Sequence, residues 1–349
     1  MFLSDTDRQY RSLCNRIGAA MLAFYLLFNI LSAGITYARD IFNQSYSNDL
    51  LNLVLSLSYY ASYLFAFMFP VLFFKLISKK HSFPNLNLEF KLSKKLWIII
   101  PAALGINFFF AEINYILLLP INFSELIAEP IPETYYAHDF ILDIIGTAIV
   151  PAICEEFLFR GLILSALLPY GKKTAVFGSA VLFALMHQNP AQILYTVVLG
   201  IIFAYMALET KSIWGGIILH FANNLISVIM TAATYVLEPK IADIIYMSIF
   251  LGLMAIGLVI GGVVVVRFLI ARSRNKRERA LVNEMMPRTV AKGLFGTDKI
   301  YTDEEPTFKL TKGYAIRGFF APCNLFFTVL SIGNMCLLIA TALFRNFGG

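Results

Sequence analysis

Apolar runs of about 14 to 29 residues, parted by short polar stretches, recur along most of the chain. Nine read as candidate spans: about residues 17–37, 50–77, 96–119, 141–168, 174–187, 192–208, 215–236, 242–270 and 321–344. A helix needs roughly 20 apolar residues to cross a hydrocarbon core, and seven of the nine reach that length. The fifth and sixth are short, and only "QNPAQ" parts them. Tilted spans and a partly re-entrant hairpin buried in protein both fit that pattern. The pattern predicts an all-α fold, a polytopic transmembrane helical bundle of about eight to nine spans.

Composition agrees. Of 349 residues, 58% are hydrophobic and 14% charged, against about 25% charged in soluble domains; mean hydropathy is +0.72. The partner this implies is the lipid bilayer. The polar first 16 or so residues run straight into a full-length span, so no cleavable signal peptide is expected. Cys14, Cys154, Cys323 and Cys336 are scattered and form neither a disulfide framework nor a CxxC pattern.

Charge fixes the expected orientation. The net charge of +6 reports topology here, not nucleic-acid binding. With the N-terminus cytoplasmic, Arg8, Arg11 and Arg16 lie inside, as do Lys79, Lys80, Lys91, Lys94, Lys95, Lys172, Lys173 and the segment from Arg272 to Arg317. The opposite side receives loop 120–140, which has Glu125, Glu129, Glu133 and Asp139 but no Lys or Arg. Four segments follow: 1–95, N-terminal spans with a basic cytoplasmic loop; 96–270, the helical core; 271–320, a basic cytoplasmic loop opening with "RSRNKRER"; and 321–349, an additional span. The loop 271–320 reads as a solvated stretch near anionic lipid or as a regulatory, partner-binding one.

The chemistry lies in the apolar stretch "PAICEEFLFRGLI", which holds Glu155, Glu156 and Arg160. Charge at membrane depth costs at least ~2.5–3.5 kcal/mol per group and usually faces a bundle interior. Glu156 and Arg160 are four apart and share a helix face; Glu155 points about 100° away. One carboxylate can be neutralised while the other stays free. A buried charge cluster that only locks helices together fits these three residues equally well. Further along, Phe183 and His187 are four apart, and so are His220 and Asn224. A spare carboxylate, two imidazoles and an amide on three separate segments are the components of a hydrolytic site.

Glu155-Glu156-x-x-x-Arg160, Phe183-x-x-x-His187 and His220-x-x-x-Asn224 together resemble the CPBP family: the CAAX-protease and bacteriocin-processing intramembrane endopeptidases, also called the Abi family. The resemblance covers about residues 141–230 and marks 96–270 as a CPBP-type catalytic core. It implies peptide-bond hydrolysis within the membrane. Glu155 would activate water, assisted by His187; His220 and Asn224 would hold the oxyanion; Glu156, Arg160 and Phe183 would support them. Asn223 leaves open which neighbouring amide points inward, and the spacing favours Asn224. The expected substrate is a membrane-associated or lipidated peptide or protein, and the expected setting is a bacterial plasma membrane. No cofactor is expected. The alternative is a divalent metal such as zinc, with Glu155, His187 and His220 as ligands and a water in the fourth position, although HExxH is absent.

Three other readings compete. A non-catalytic scaffold or bacteriocin-immunity factor would keep the family's site without turnover. A transporter would also place ionisable groups in the membrane. A serine protease would need more than the "GSA" at Gly178–Ala180, where small residues suit helix packing. Helix depths raise a further question. Glu155, His187 and His220 do not fall at one level on straight, untilted helices of 1.5 Å rise per residue. Tilt or the re-entrant hairpin has to bring them together.

Overall fold

The computed structural model describes residues 3–43, 49–78, 87–92, 96–121, 137–285, 308–311 and 313–347. Among these there are helices and no strands. Glu125, Glu129 and Glu133 of the acidic loop lie outside the described residues, as do Lys79, Lys80, Lys94, Lys95 and all of 286–307.

Helix α1 (Asp5–Asn43) starts well before the apolar run that predicted it. Ser4 Oγ accepts from the Asp7 amide at 3.1 Å, and Asp5 and Asp7 stand in the first turn, where carboxylates suit the helix dipole. The stretch that reads as polar also carries a buried stripe, Tyr10, Leu13, Cys14 and Ile17. Its i, i+3, i+4, i+7 spacing extends the helix inward from the first span. Helices α2 (Asp49–Ile77) and α3 (Leu96–Leu118) follow as expected.

The fourth predicted span is one continuous but unevenly wound helix, α4. It runs through Ala137–Asp143, Ile144–Ile149, Val150–Glu156, Phe157–Leu164 and Ser165–Leu167, and the second and fourth of these pieces are π-helical. Then come α5 (Lys172–Met186) and α6 (Ile193–Thr210), the close hairpin across residues 187–192. Helices α7 (Trp214–Val236) and α8 (Pro239–Met285) complete the core. Helix α8 does not stop at residue 270 but carries the "RSRNKRER" run as further helical turns. A short helix, α9 (Tyr314–Phe319), leads into α10 (Pro322–Phe347).

Seven of these helices are long and apolar enough to cross a membrane: α1, α2, α3, α6, α7, α8 and α10. Helix α5 has 15 residues, which is short for a span, and α4 spends part of its length on buried charge. The protein is a multi-pass integral membrane protein. Large apolar side chains such as Ile30, Leu76 and Trp97 are exposed on its outer faces, where lipid takes the place of water.

Packing centres on α4. It contacts α2 on one side, α5 and α6 on another and α7 on a third. Leu158, Phe159 and Arg160 are fully buried there. Helix α3 packs on α6 and α8, and a Cβ on either Gly105 or Gly257 would collide with the other helix's backbone, the small-residue contact expected between spans. The last helix packs against α1 and α5. Ser179, from the "GSA" stretch, donates to the Val176 carbonyl of its own helix at 3.2 Å, and Ala180 lies against Gly200. Both are packing roles.

Candidate active site

Glu155 and Glu156 end the α-wound piece of α4, where the helix widens. Such π-wound turns are rare and frequent at functional sites. Both carboxylates are buried, with 4% and 0% of their residues' surface exposed, and they serve different partners.

Glu156 is tied down. Its Oε1 accepts from Arg160 Nη1 at 2.8 Å and lies 3.3 Å from His220 Nδ1. Arg160 also donates from Nη2 to the Gly200 carbonyl at 3.1 Å. Its guanidinium carbon lies 4.5 Å from the Phe183 ring centre and 4.9 Å from that of Phe203, so aromatic faces and hydrogen bonds together stabilise the cation. Helix α7 comes this close because Gly216 has no side chain: a Cβ there would sit 2.6 Å from Glu156 Oε2.

Glu155 is held by one oxygen only. Tyr63 of α2 donates its hydroxyl to Oε1 at 2.5 Å. The other oxygen, Oε2, like Glu156 Oε2, has no hydrogen-bond partner among the described residues, and it lies 3.9 Å from His220 Nε2. That distance exceeds a direct hydrogen bond.

The histidines have defined tautomers in this arrangement. His220 faces the Glu156 carboxylate with Nδ1, and a carboxylate only accepts, so the proton is on Nδ1 and Nε2 faces Glu155. The His220 ring stacks on Phe203 at 5.3 Å and meets Phe183 edge-on at 5.9 Å. His187 donates from Nδ1 to the Phe183 carbonyl at 2.8 Å, which leaves its Nε2 able to take a proton. Its ring meets Phe183 at 5.0 Å. Phe183 therefore touches Arg160 and both imidazoles.

Asn224 docks one turn further along α7. Its Nδ2 donates to the Thr147 carbonyl at 3.0 Å. Pro151, four residues after Thr147, has no N–H to give that carbonyl, so the sequence itself frees it. Asn223 takes the other direction: it accepts from Asn107 of α3 at 2.9 Å and donates to Asn224 Oδ1 at 3.1 Å. The chain Asn107–Asn223–Asn224 turns the Asn224 amide so that its NH2 faces α4. The near-duplicate thus orients its neighbour.

The depth question is answered by register. Gly216 faces Glu156, His220 faces both carboxylates and Asn224 faces Thr147, so α7 runs antiparallel to α4. The start of α7 is covered by residues 87–92, whose carbonyls at Asn87, Leu88 and Glu89 accept from the Ile213 amide, Trp214 Nε1 and Ser212 Oγ. The loop after His187 is held from two sides. Asn114 of α3 donates to the Pro190 carbonyl at 2.9 Å and accepts from the Leu194 amide at 3.1 Å. Asn334 of α10 donates to Gln188 at 3.1 Å, and Gln188 has a left-handed backbone, φ 51°.

Tyr63, Phe203, Asn107, Asn114 and Gly216 escape the motif reading. The two asparagines carried a signal, as amides seven apart on one face of an apolar span; Tyr63 stands among other tyrosines and carried none. For a metal, Glu155, His187 and His220 do not form a group of three ligands, nor do any other His, Cys, Asp or Glu side chains among the described residues.

Comparison with known proteins bears on the same segment of the chain. Residues 137–226 match the family described as "Type II CAAX prenyl endopeptidase Rce1-like", and all seven motif residues fall within them. The resemblance read from the motifs therefore stands for this segment. The chain is also 37% identical over 92 residues to "Putative membrane peptidase YdiL" of Bacillus subtilis (strain 168), a match covering 26% of this chain and 37% of that protein. The match spans little more than a third of that relative. No solved structure matches.

Proposed function

We propose that the protein is an intramembrane endopeptidase that hydrolyses a peptide bond in a membrane-associated or lipidated peptide or protein, in a bacterial plasma membrane. The observation that carries this reading is the asymmetry of the two glutamates. Glu156 is ion-paired with Arg160 through Oε1, its Oε2 lying unpartnered against Gly216, while Glu155 is paired with no arginine or lysine among the described residues and turns its own unpartnered Oε2 toward the His220 imidazole. A structural charge cluster would pair both. The similarity of residues 137–226 to a prenyl endopeptidase family supports the same chemistry.

In this mechanism Glu155 Oε2 takes a proton from water as the water oxygen attacks the scissile carbonyl carbon. His220, which Glu156 holds at Nδ1, and the second N–H of Asn224 face the oxyanion that forms. Donors of this kind are worth about 2.7–4 kcal/mol each in known proteases. The proton then passes to the leaving amine, assisted by His187, whose Nε2 is free of the Phe183 carbonyl that Nδ1 serves. No step needs a metal.

The test is cleavage of a library of lipidated and apolar peptides by purified protein, read by mass spectrometry for wild type and Glu155→Gln, with and without chelator. Cleavage by wild type and its loss in the variant are expected. Equal cleavage by both would remove Glu155 as the base. Loss on chelation with recovery on added zinc would replace the metal-free route. A biological effect that survives Glu155→Ala in folded protein would favour a scaffold.

A further inference from the structure

We propose that Tyr63 is a positioning residue of the active site: its hydroxyl holds Glu155 by Oε1 and so reserves Oε2, the oxygen facing His220, for chemistry. The proposal rests on the reading of Glu155 as the base. It makes α2, which lies outside residues 137–226, a part of the catalytic apparatus.

A carboxylate on a helix turns about its terminal bonds unless something holds it. Among the described residues Tyr63 is the hydrogen-bond donor to Glu155, at 2.5 Å, and Oε2 is left unpartnered. The ring is itself fixed, packed 4.6 Å from Phe67 and 5.8 Å edge-on from Phe28. That rigidity matters, because a donor on a loose side chain would follow the carboxylate instead of directing it.

A second contact explains how α2 reaches the site. Tyr60 lies one turn from Tyr63, and its ring covers Gly146 so closely that a Cβ there would collide with it. Gly146 belongs to the first π-wound piece of α4. Helix α2 is thus seated on α4 at two points, Tyr60 on Gly146 and Tyr63 on Glu155. The site is built from both.

The bond and its role are tested separately. Tyrosine labelled with 13C at the phenolic carbon is incorporated into the full-length protein in detergent. The C–O stretching band lost in Tyr63→Phe identifies the residue. That band is expected to move in Glu155→Ala and to stay in place in Glu156→Gln. In the cleavage assay, Tyr63→Phe is expected to lower kcat about ten- to a hundredfold, as for a lost charge-assisted hydrogen bond, with KM within about twofold. A band unmoved by Glu155→Ala would overturn the bond. A moved band with unchanged kcat would overturn the role and leave a packing contact. A wild type that cleaves nothing would sink the protease reading, and the positioning role with it, while the band still reports whether Tyr63 holds Glu155.

Discussion

One oxygen of Glu156 serves both the Arg160 guanidinium and the His220 ring, and this sharing makes the pair a support for the site rather than a stability device. Breaking a buried pair from one side leaves the other charge uncompensated, at about 3–5 kcal/mol, whereas replacing both sides is often neutral. Arg160→Met is therefore expected to lower the thermal midpoint in detergent sharply. Glu156→Gln combined with Arg160→Met should recover much of that loss and still leave cleavage impaired, because His220 has lost its carboxylate. A double variant as unstable as Arg160→Met alone would show that the aromatic cage, not the charge, sets the cost. At this scale the sequence was legible. The four-residue spacing of Glu156 and Arg160 predicts their pairing, and the offset of Glu155 predicts its separation from it.

The spacing of motifs says less about how a helix is wound. A regular helix was expected over 141–168, yet α4 widens twice. Pro151 is the identifiable cause of one consequence, the Thr147 carbonyl that Asn224 takes up. Pro151→Ala would restore an N–H that competes for that carbonyl. The variant is expected to be at least as stable as wild type and to lose about tenfold or more in kcat, since Asn224 would no longer be held. Retained turnover would mean that Asn224 finds its place without α4. The start of α1 was misjudged for a related reason: the first 16 residues read as polar because Arg8, Arg11, Asn15 and Arg16 dominate the composition. The stripe Tyr10–Leu13–Cys14–Ile17 buries the opposite face.

Across the whole molecule, helices far apart in sequence close the site. Tyr63 comes from α2, Asn107 and Asn114 from α3, and Asn334 from α10. The last helix had no assignable role in the sequence, yet its Asn334 holds the residue after His187. Orientation also belongs to this scale. An N-terminal fusion to a fluorescent protein that matures only in the cytoplasm is expected to glow. A C-terminal fusion to alkaline phosphatase, active only outside, is expected to be active after nine crossings. A cytoplasmic C-terminal signal would mean an even number of crossings, with either α4 or α5 alone failing to cross.

The sequence by itself determined the helical membrane class, the pairing of Glu156 with Arg160 and the ordered motifs of a hydrolytic site. Each follows from local rules: apolar run length, the four-residue helical repeat and the cost of charge in hydrocarbon. Only the tertiary structure decided that Gly216 and the antiparallel register of α7 set His220 against both carboxylates, that Asn223 serves Asn224, and that Tyr63 holds Glu155. The side-chain bonds that set them join residues 64 to 116 positions apart. No periodicity along one helix encodes which neighbour it will meet.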